Sequence, residues 1–218
     1  MKITELSDKE YAITDLVLDD IYNKRYCVFD FEATGPDQLN DYITQIGAVI
    51  INDAGSITAQ YKTLVRPAKP IPEAIERLTG IYNKDVEEAR TFSEVFGEFM
   101  AFIEGCVLIT QAGYEFDYPL LVEECRRNQL FIHDQITIDT KALFTFLHPE
   151  VSDIVSTNFL IHYYNINDSD IQRHDALGDS ILISRFFYKM IEECLHREIR
   201  TIRIEHLIVK RMKLTPLM

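Results

Sequence analysis

The chain has 218 residues, 47% of them hydrophobic, and a formal net charge of −13 at pH 7. This is enough for one well-buried domain, and no run of about 18 apolar residues predicts a membrane span. The acidic balance argues against tight, non-specific binding to long duplex nucleic acid. The acidic start of the chain predicts no signal peptide, and the four cysteines lie in apolar stretches without a CxxC pair. We therefore expect a cytoplasmic protein with reduced core cysteines and no zinc site.

The two ends of the chain look like additions to a central domain. Ser7 to Glu10 resembles a capping box, and the apolar residues after it predict a helix. Residues 195–218 carry six basic and two acidic residues, a net of +4, which favours a solvated helix face over a nucleic-acid or partner contact. We predict an N-terminal extension at 1–24, a main domain at 25–194 and a basic tail at 195–218.

Three strands open the main domain. Residues 26–31 are rich in aromatic and β-branched side chains, and residues 42–51 and 57–65 show the same preference. The turn signal Asn-Asp-Ala-Gly at 52–55 separates the second strand from the third. The pattern predicts an antiparallel meander.

Beyond residue 70 the pattern alternates between helices and short strands. Apolar residues recur at spacings of three and four from Phe92 to Ile103, which predicts a helix. The other predicted elements are helices at 73–78, 118–128, 140–147, 157–164 and 175–194, and strands at 107–110 and 136–139. Three antiparallel strands followed by alternating helices and strands indicate an α/β domain with a mixed sheet.

Four carboxylates and one histidine lie in three segments whose neighbours predict buried structure. They are Asp30 and Glu32 in YCVFDFEATG, Asp117 in GYEFDYPLL, and His174 and Asp179 in RHDALGDS. Buried acids without a compensating cation are strongly disfavoured, and hard divalent cations prefer oxygen ligands. The set therefore predicts a site for a divalent metal ion and a metal-dependent phosphodiesterase.

Each of these residues also has a simpler interpretation. Asp30 and Glu32 are two apart on a strand, so they share a face, but they could form an exposed acidic strand end. Asp117 precedes a helical stretch, and on its own it favours a helix N-cap. His174 could be structural and Asp179 a solvated acid on the last helix. Taken singly, these signals are weak.

Taken in order, the motifs D-x-E, FD and H-x4-D resemble those of the DEDDh exonucleases, the DnaQ-like 3′–5′ exonucleases of the ribonuclease H-like superfamily. The similarity covers roughly residues 24–193 and includes ITQIGAVII, LVRPAKPIP, LTGI and IDTKALF. It implies a ribonuclease H-like mixed sheet flanked by helices for residues 25–194. It also implies hydrolysis of single-stranded DNA or RNA from the 3′ end to nucleoside 5′-monophosphates. The low basic content favours short or frayed 3′ ends.

The resemblance assigns roles to the matching residues. It implies two divalent cations, Mg²⁺ or Mn²⁺, with Asp30, Glu32 and Asp179 as ligands, Asp30 bridging. Asp117 would help to hold the second cation through water. His174 would be the general base, because imidazole exchanges protons near neutral pH. The residues expected to contact the terminal nucleotide are Phe31, Ala33, Thr34 and Gly35.

Three departures from the family pattern bear on activity. The frequent E-T-T-G is here E-A-T-G, with Ala33 in place of a threonine. Gln111-Ala112-Gly113 replaces H-N-A, which bears on substrate positioning. Asp175 replaces an arginine beside the proposed base, where it either raises the base's proton affinity or simply faces solvent. No proposed ligand is lost, so we expect activity.

Two alternatives share the fold. One is a binding or regulatory protein without useful catalysis, and the other is a polymerase proofreading subunit whose partner delivers the substrate. The N-terminal extension and the basic tail are the candidate surfaces for a homodimer or a protein partner. The sequence does not distinguish DNA from RNA.

Overall fold

A computed structural model describes residues 1–132 and 135–212 of the chain. The strands are β1 (Lys2–Ser7), β2 (Glu10–Leu18), β3 (Tyr26–Ala33), β4 (Ile43–Ile51), β5 (Ile57–Leu64), β6 (Val107–Thr110), β7 (Thr137–Asp139) and β8 (Ile202–Lys210). The helices are α1 (Glu73–Thr79), α2 (Asn83–Val86), α3 (Phe92–Phe102), α4 (Asp117–Arg127), α5 (Thr140–Leu147), α6 (Thr157–Tyr163) and α7 (Ala176–His196). Within the described ranges, no helix is both long and apolar enough to cross a membrane.

The main sheet has five strands in the order β5-β4-β3-β6-β7. Strands β3, β4 and β5 are antiparallel neighbours, and β6 and β7 continue the sheet parallel to β3. This arrangement confirms the predicted α/β fold with a mixed sheet. The predicted helices and strands of the main domain occur within a few residues of their expected bounds, but the short helix α2 was not predicted.

Helices cover both faces of this sheet. On one face, Val28 of β3 packs in a cluster with Phe186 and Phe187 of α7. On the other, Phe29 packs with Phe99 of α3. The four cysteines are unpaired and buried, as expected for core residues. Alternate side chains of β3 therefore enter different halves of the core.

The N-terminal extension contradicts the predicted helix, because residues 2–18 form the hairpin β1–β2. The Ser7 hydroxyl accepts a hydrogen bond from the Lys9 backbone (3.1 Å) inside the hairpin turn, where it caps no helix. Tyr11 and Ile13 lie two apart on β2, and both are buried. Their spacing is that of a strand.

The basic tail is not a solvated helix face either, because it contains β8. This strand pairs with β2 along its whole length, with Tyr11 opposite Val209 and Leu18 opposite Ile202. The two ends of the chain thus share a sheet in the order β1-β2-β8. The division at residues 24 and 194 stays a prediction, and the predicted basic residue Lys213 lies outside the described residues.

Candidate active site

Asp30 and Glu32 lie near the end of β3 on the sheet face that α7 covers. Phe29 and Phe31 point to the opposite half of the core, as the alternation of the strand predicts. Glu32 is 8% exposed and Asp30 is half-buried. Neither acid is an exposed strand end, so that interpretation is wrong.

The first turn of α7 lies directly on β4, opposite Asp30. Asp30 pairs in register with Gly47, and a Cβ at Gly47 would come within 2.1 Å of the Ala176 carbonyl carbon. The Ala176 backbone N–H donates to Gln45 Oε1 (2.7 Å), and the Ser180 hydroxyl donates to the Gly47 carbonyl (3.0 Å). The missing side chain at Gly47 allows this close approach and brings α7 to the acids of β3.

Asp30, Glu32 and Asp179 form a three-carboxylate cluster, with ligand oxygens all within 4.8 Å of one another. Burial, together with the charges of Asp179 and Asp117, raises the pKa of Glu32 to about 8. Burial and the nearby carboxyls also raise the pKa of Asp30, whereas Arg173 lowers it. Acids so close together repel one another unless a cation lies between them. The donor set therefore fits a hard divalent cation.

Asp117 borders the cluster but has partners of its own. It is 3% exposed, and its carboxylate accepts hydrogen bonds from the Phe31 backbone (3.3 Å) and the Thr110 hydroxyl (2.9 Å). Burial raises its pKa, these two hydrogen bonds lower it, and the net result is a pKa of about 7. The N-cap of α4 is Phe116, so the interpretation of Asp117 as an N-cap is wrong. Its contacts tie the start of α4 to β3 and β6.

His174 is exposed at the rim of the cluster. Its φ of 58° is left-handed, a conformation that is strained for a residue with a side chain. Its backbone N–H donates to Asp179 Oδ2 (2.8 Å). This hydrogen bond couples the position of the histidine to that of the carboxylate.

Two cavities meet at His174. The acidic cavity has a volume of about 300 Å³ and is lined by all four carboxylates together with Gln111 and Arg173. The apolar cavity, of about 320 Å³, is lined by Phe31, Ala33, Gly35, Ile75, Leu78 and Phe116. Glu32 and His174 line both cavities.

Contacts with Asp41 fix the predicted nucleotide-binding loop at residues 33–35. The Thr34 hydroxyl donates to Asp41 (2.7 Å), which also pairs with Lys69 (2.5 Å). A Cβ at Gly35 would come within 2.5 Å of the same Asp41 carboxylate. Thr34 thus uses its side chain inside the protein, whereas Ala33 and Gly35 face the apolar cavity.

Asp175, which stands where the family pattern has an arginine, has a structural role. Its carboxylate accepts a hydrogen bond from the Gly178 backbone (2.9 Å), so it caps the N-terminus of α7. It also pairs with Lys62 of β5, and its side chain is 14% exposed. The alternative that Asp175 simply faces solvent is therefore wrong.

Hydrogen bonds to neighbouring residues also fix the side chain of Gln111, which stands where the family pattern has a histidine. Its side-chain oxygen accepts a hydrogen bond from the Thr140 hydroxyl, and its nitrogen donates to the Val155 carbonyl (3.3 Å). The amide therefore lines the acidic cavity while it links β6 to α5 and to the loop before α6.

Sequence reasoning missed two residues of this region, Asp139 and Arg173. Asp139 accepts hydrogen bonds from the backbones of Ala112 (3.0 Å) and Tyr114 (3.1 Å), and so shapes the loop that leads to Asp117. Arg173 Nε donates to Asp179 Oδ1 (2.7 Å). The available signals were an acid at the joint of β7 and α5 and a basic residue just before the H-x4-D motif.

The comparisons with known proteins agree with this geometry. Residues 27–187 match the protein-family model described as Exonuclease. DNA polymerase III PolC-type of Thermotoga petrophila is 31% identical over 188 residues, 86% of this chain and 13% of that protein. The 3′-5′ exonuclease DinG of Bacillus subtilis is 29% identical over 171 residues, 78% of this chain and 18% of that protein. The chain thus spans less than a fifth of either relative.

The fold is also found among solved structures. The nuclease domain of 3′hExo, a DEDDh family member bound to rAMP, superposes with a TM-score of 0.70. It is 21% identical in sequence, and the match covers 80% of this chain and 94% of that one. The family model covers well over half of the chain, and the chain therefore belongs to the exonuclease family.

Proposed function

We propose that this protein is a metal-dependent 3′–5′ exonuclease that acts on single-stranded DNA or RNA and releases nucleoside 5′-monophosphates. The observation that carries the proposal is the three-carboxylate cluster beside an apolar cavity, with His174 lining both. Family membership and the activity named for the Bacillus subtilis relative support it.

The carboxylates are the proposed ligands of two divalent cations, Mg²⁺ or Mn²⁺. Asp30, Glu32 and Asp179 would bind them directly, and Asp117 would act through water. When bound, such ions supply a nucleophile from water and stabilise charge on the leaving oxygen. Asp117 suits an indirect role, because its oxygens already accept hydrogen bonds from Phe31 and Thr110.

His174 is the proposed general base. Its exposed ring reaches the boundary between the two cavities, and an imidazole can accept a proton from water at neutral pH. The backbone hydrogen bond from His174 to Asp179 keeps the ring near the proposed metal ligands. A base held in this way would be placed to accept a proton from a water molecule bound beside the carboxylates.

The apolar cavity is the proposed site of the terminal nucleoside. The nucleobase would pack between Phe31, Leu78 and Phe116, and the backbone at Ala33 and Gly35 would contact the sugar. Its scissile phosphate would then lie toward the carboxylates. The net charge of −13 favours short or frayed 3′ ends over long strands bound along a basic channel.

A proofreading role with a polymerase partner is the second candidate. The 31% identity to a polymerase of Thermotoga petrophila favours it over a non-catalytic protein. In that case the partner would deliver the 3′ end, and the sheet β1-β2-β8 would be a candidate contact surface. A homodimer through the same sheet is the other arrangement that we consider.

The test is hydrolysis of 5′-labelled single-stranded DNA and RNA oligomers with Mn²⁺, Mg²⁺ or EDTA. We expect a metal-dependent ladder that shortens from the 3′ end. Asp30→Ala should lose about a thousandfold or more of this activity, and His174→Ala roughly a hundredfold or more. Asp170→Asn, an exposed acid that pairs with Arg185, is the matched control and should keep full activity.

Circular dichroism would verify that each variant is folded. Turnover retained by Asp30→Ala or His174→Ala would contradict the roles given to these residues. No cleavage of either polymer by folded wild-type protein would favour the partner-dependent alternative.

A further inference from the structure

Arg173 places a positive charge on a proposed metal ligand. Its Nε donates to Asp179 Oδ1 (2.7 Å), and its Nη1 lies 3.3 Å from Asn158 Oδ1. The side chain is 32% exposed and lines the acidic cavity beside Asp30. Arg173 therefore makes a short hydrogen bond to Asp179 and a longer one to Asn158, and it borders the open acidic cavity.

The guanidinium acts as the counter-charge of the cluster in this arrangement. It pairs with Asp179 (2.7 Å) and lines the same cavity as Asp30 and Glu32, whose carboxylates lie within 4.8 Å of that of Asp179. A divalent cation at the same carboxylates would take over this role and would repel the guanidinium at close range. Arginine and cation thus compete for Asp179.

The released guanidinium would remain at the wall of the acidic cavity. An arginine fork matches the oxygens of a phosphate, and its charge does not depend on pH. The apolar cavity lies on the other side of His174, so a nucleotide seated there would direct its phosphate toward Arg173 and the carboxylates.

We propose that Arg173 is an exchangeable counter-ion. It holds Asp179 until divalent cations bind, and it then pairs with a phosphate of the nucleic acid. This inference rests on the proposed function, because it needs both the cations and the nucleotide. It adds a substrate-positioning residue to the five residues named from the sequence motifs.

The first experiment measures Mn²⁺ affinity from the electron paramagnetic resonance signal of free Mn²⁺. Wild type is compared with Arg173→Gln, Arg173→Lys and the control Arg90→Gln. Arg90 also pairs with a carboxylate, that of Glu98, through two hydrogen bonds on the surface. We expect Arg173→Gln to bind Mn²⁺ about tenfold more tightly, because its competitor is gone, and Arg173→Lys and the control to stay near wild type.

The second experiment titrates adenosine 5′-monophosphate and its 2′-deoxy form into Mn²⁺-saturated protein by calorimetry. Arg173→Gln should bind the preferred nucleotide about tenfold more weakly, and Arg173→Lys should recover part of this loss. Tighter metal binding together with weaker nucleotide binding is a pattern that general misfolding would not produce.

Mn²⁺ affinity of Arg173→Gln that equals or falls below that of wild type would overturn the exchange. Unchanged nucleotide affinity would overturn the phosphate contact. Wild-type protein that binds no Mn²⁺ would overturn the proposed function itself. Wild type that binds Mn²⁺ and degrades oligomers, with Arg173→Gln unaltered in both titrations, would reject this inference alone.

Discussion

Two acids, Asp139 and Asp30, lie near strand ends of the same sheet, and their surroundings differ. Asp139, at the end of β7, is fully buried, and its oxygens accept hydrogen bonds from the backbones of Ala112, Tyr114 and Lys141. Asp30, near the end of β3, faces other carboxylates across less than 5 Å. The Asp139 carboxylate is thus surrounded by hydrogen-bond donors, whereas the Asp30 carboxylate faces mainly other hydrogen-bond acceptors.

The electrostatics follow this difference. Burial raises the pKa of both acids, but Lys141 and three backbone amides lower that of Asp139. At Asp30, three neighbouring carboxyls raise the pKa further, and Arg173 lowers it. A buried acid is therefore not by itself a sign of catalysis. The close approach of three carboxylates, of which Asp179 accepts hydrogen bonds from Arg173 and His174, is what fits a divalent cation.

The largest expected effect on stability is at Asp139. Asp139→Asn turns an amide N–H₂ toward backbone N–H donors, so we expect the free energy of unfolding to fall by roughly 3 kcal/mol. Urea denaturation followed by circular dichroism would measure it. The matched variant Asp30→Asn removes a like charge and should leave this free energy unchanged or higher. Equal destabilisation by Asp139→Asn and Asp30→Asn would contradict the difference between the surroundings of these two acids.

The next effect is a dependence of stability on pH. The pKa of Glu32 is raised from 4.5 to about 8, so in the folded chain Glu32 keeps a proton that the unfolded chain loses. The folded state binds more protons, and the free energy of unfolding therefore falls as the pH rises between these values. The slope for this group is at most about 1.4 kcal/mol per pH unit.

Denaturation in EDTA at pH 5, 6, 7 and 8 would test this dependence. Glu32→Gln cannot ionise, so its stability should fall less steeply with pH than that of wild type. Mn²⁺ should raise the stability of wild type most at the high end of the range, where the acids are charged. Parallel pH profiles for wild type and Glu32→Gln would contradict the raised pKa.

The smallest effect is expected at Asp175, one turn before Asp179. Asp175→Asn keeps a side-chain oxygen for the cap of α7 and loses the ion pair with Lys62, whose side chain is 43% exposed. We expect less than about 1 kcal/mol of destabilisation and hydrolysis within a few-fold of wild type. Asp179→Asn is the contrasting variant and should lose nearly all activity. A large loss from Asp175→Asn would move Asp175 into the catalytic set.

The parts of the fold that were predicted correctly depend on local periodicity. The alternation of β3 placed Asp30 and Glu32 on one face and Phe29 on the other, because successive side chains of a strand point in opposite directions. The apolar spacing of α7 predicted its helix to within two residues. The family resemblance then grouped acids from separate segments, which no local pattern could do.

The errors occurred where partners are distant in sequence. The signals at Ser7–Glu10 fit a helix start and a hairpin turn equally well, and the choice depends on β8 at the other end of the chain. The pair of Arg173 with Asp179 and the bonds of Asp139 to the loop at 112–114 likewise depend on packing between elements.

The pairing of β2 with β8 also constrains the order in which the chain folds. Contacts as remote as Tyr11 with Val209 are slow to form, because a large loop must close first. During synthesis, the β1–β2 hairpin leaves the ribosome long before β8 exists, with one strand edge unpaired and Tyr11 and Ile13 uncovered. The β1–β2 hairpin of the nascent chain is therefore exposed to aggregation until β8 has been synthesised.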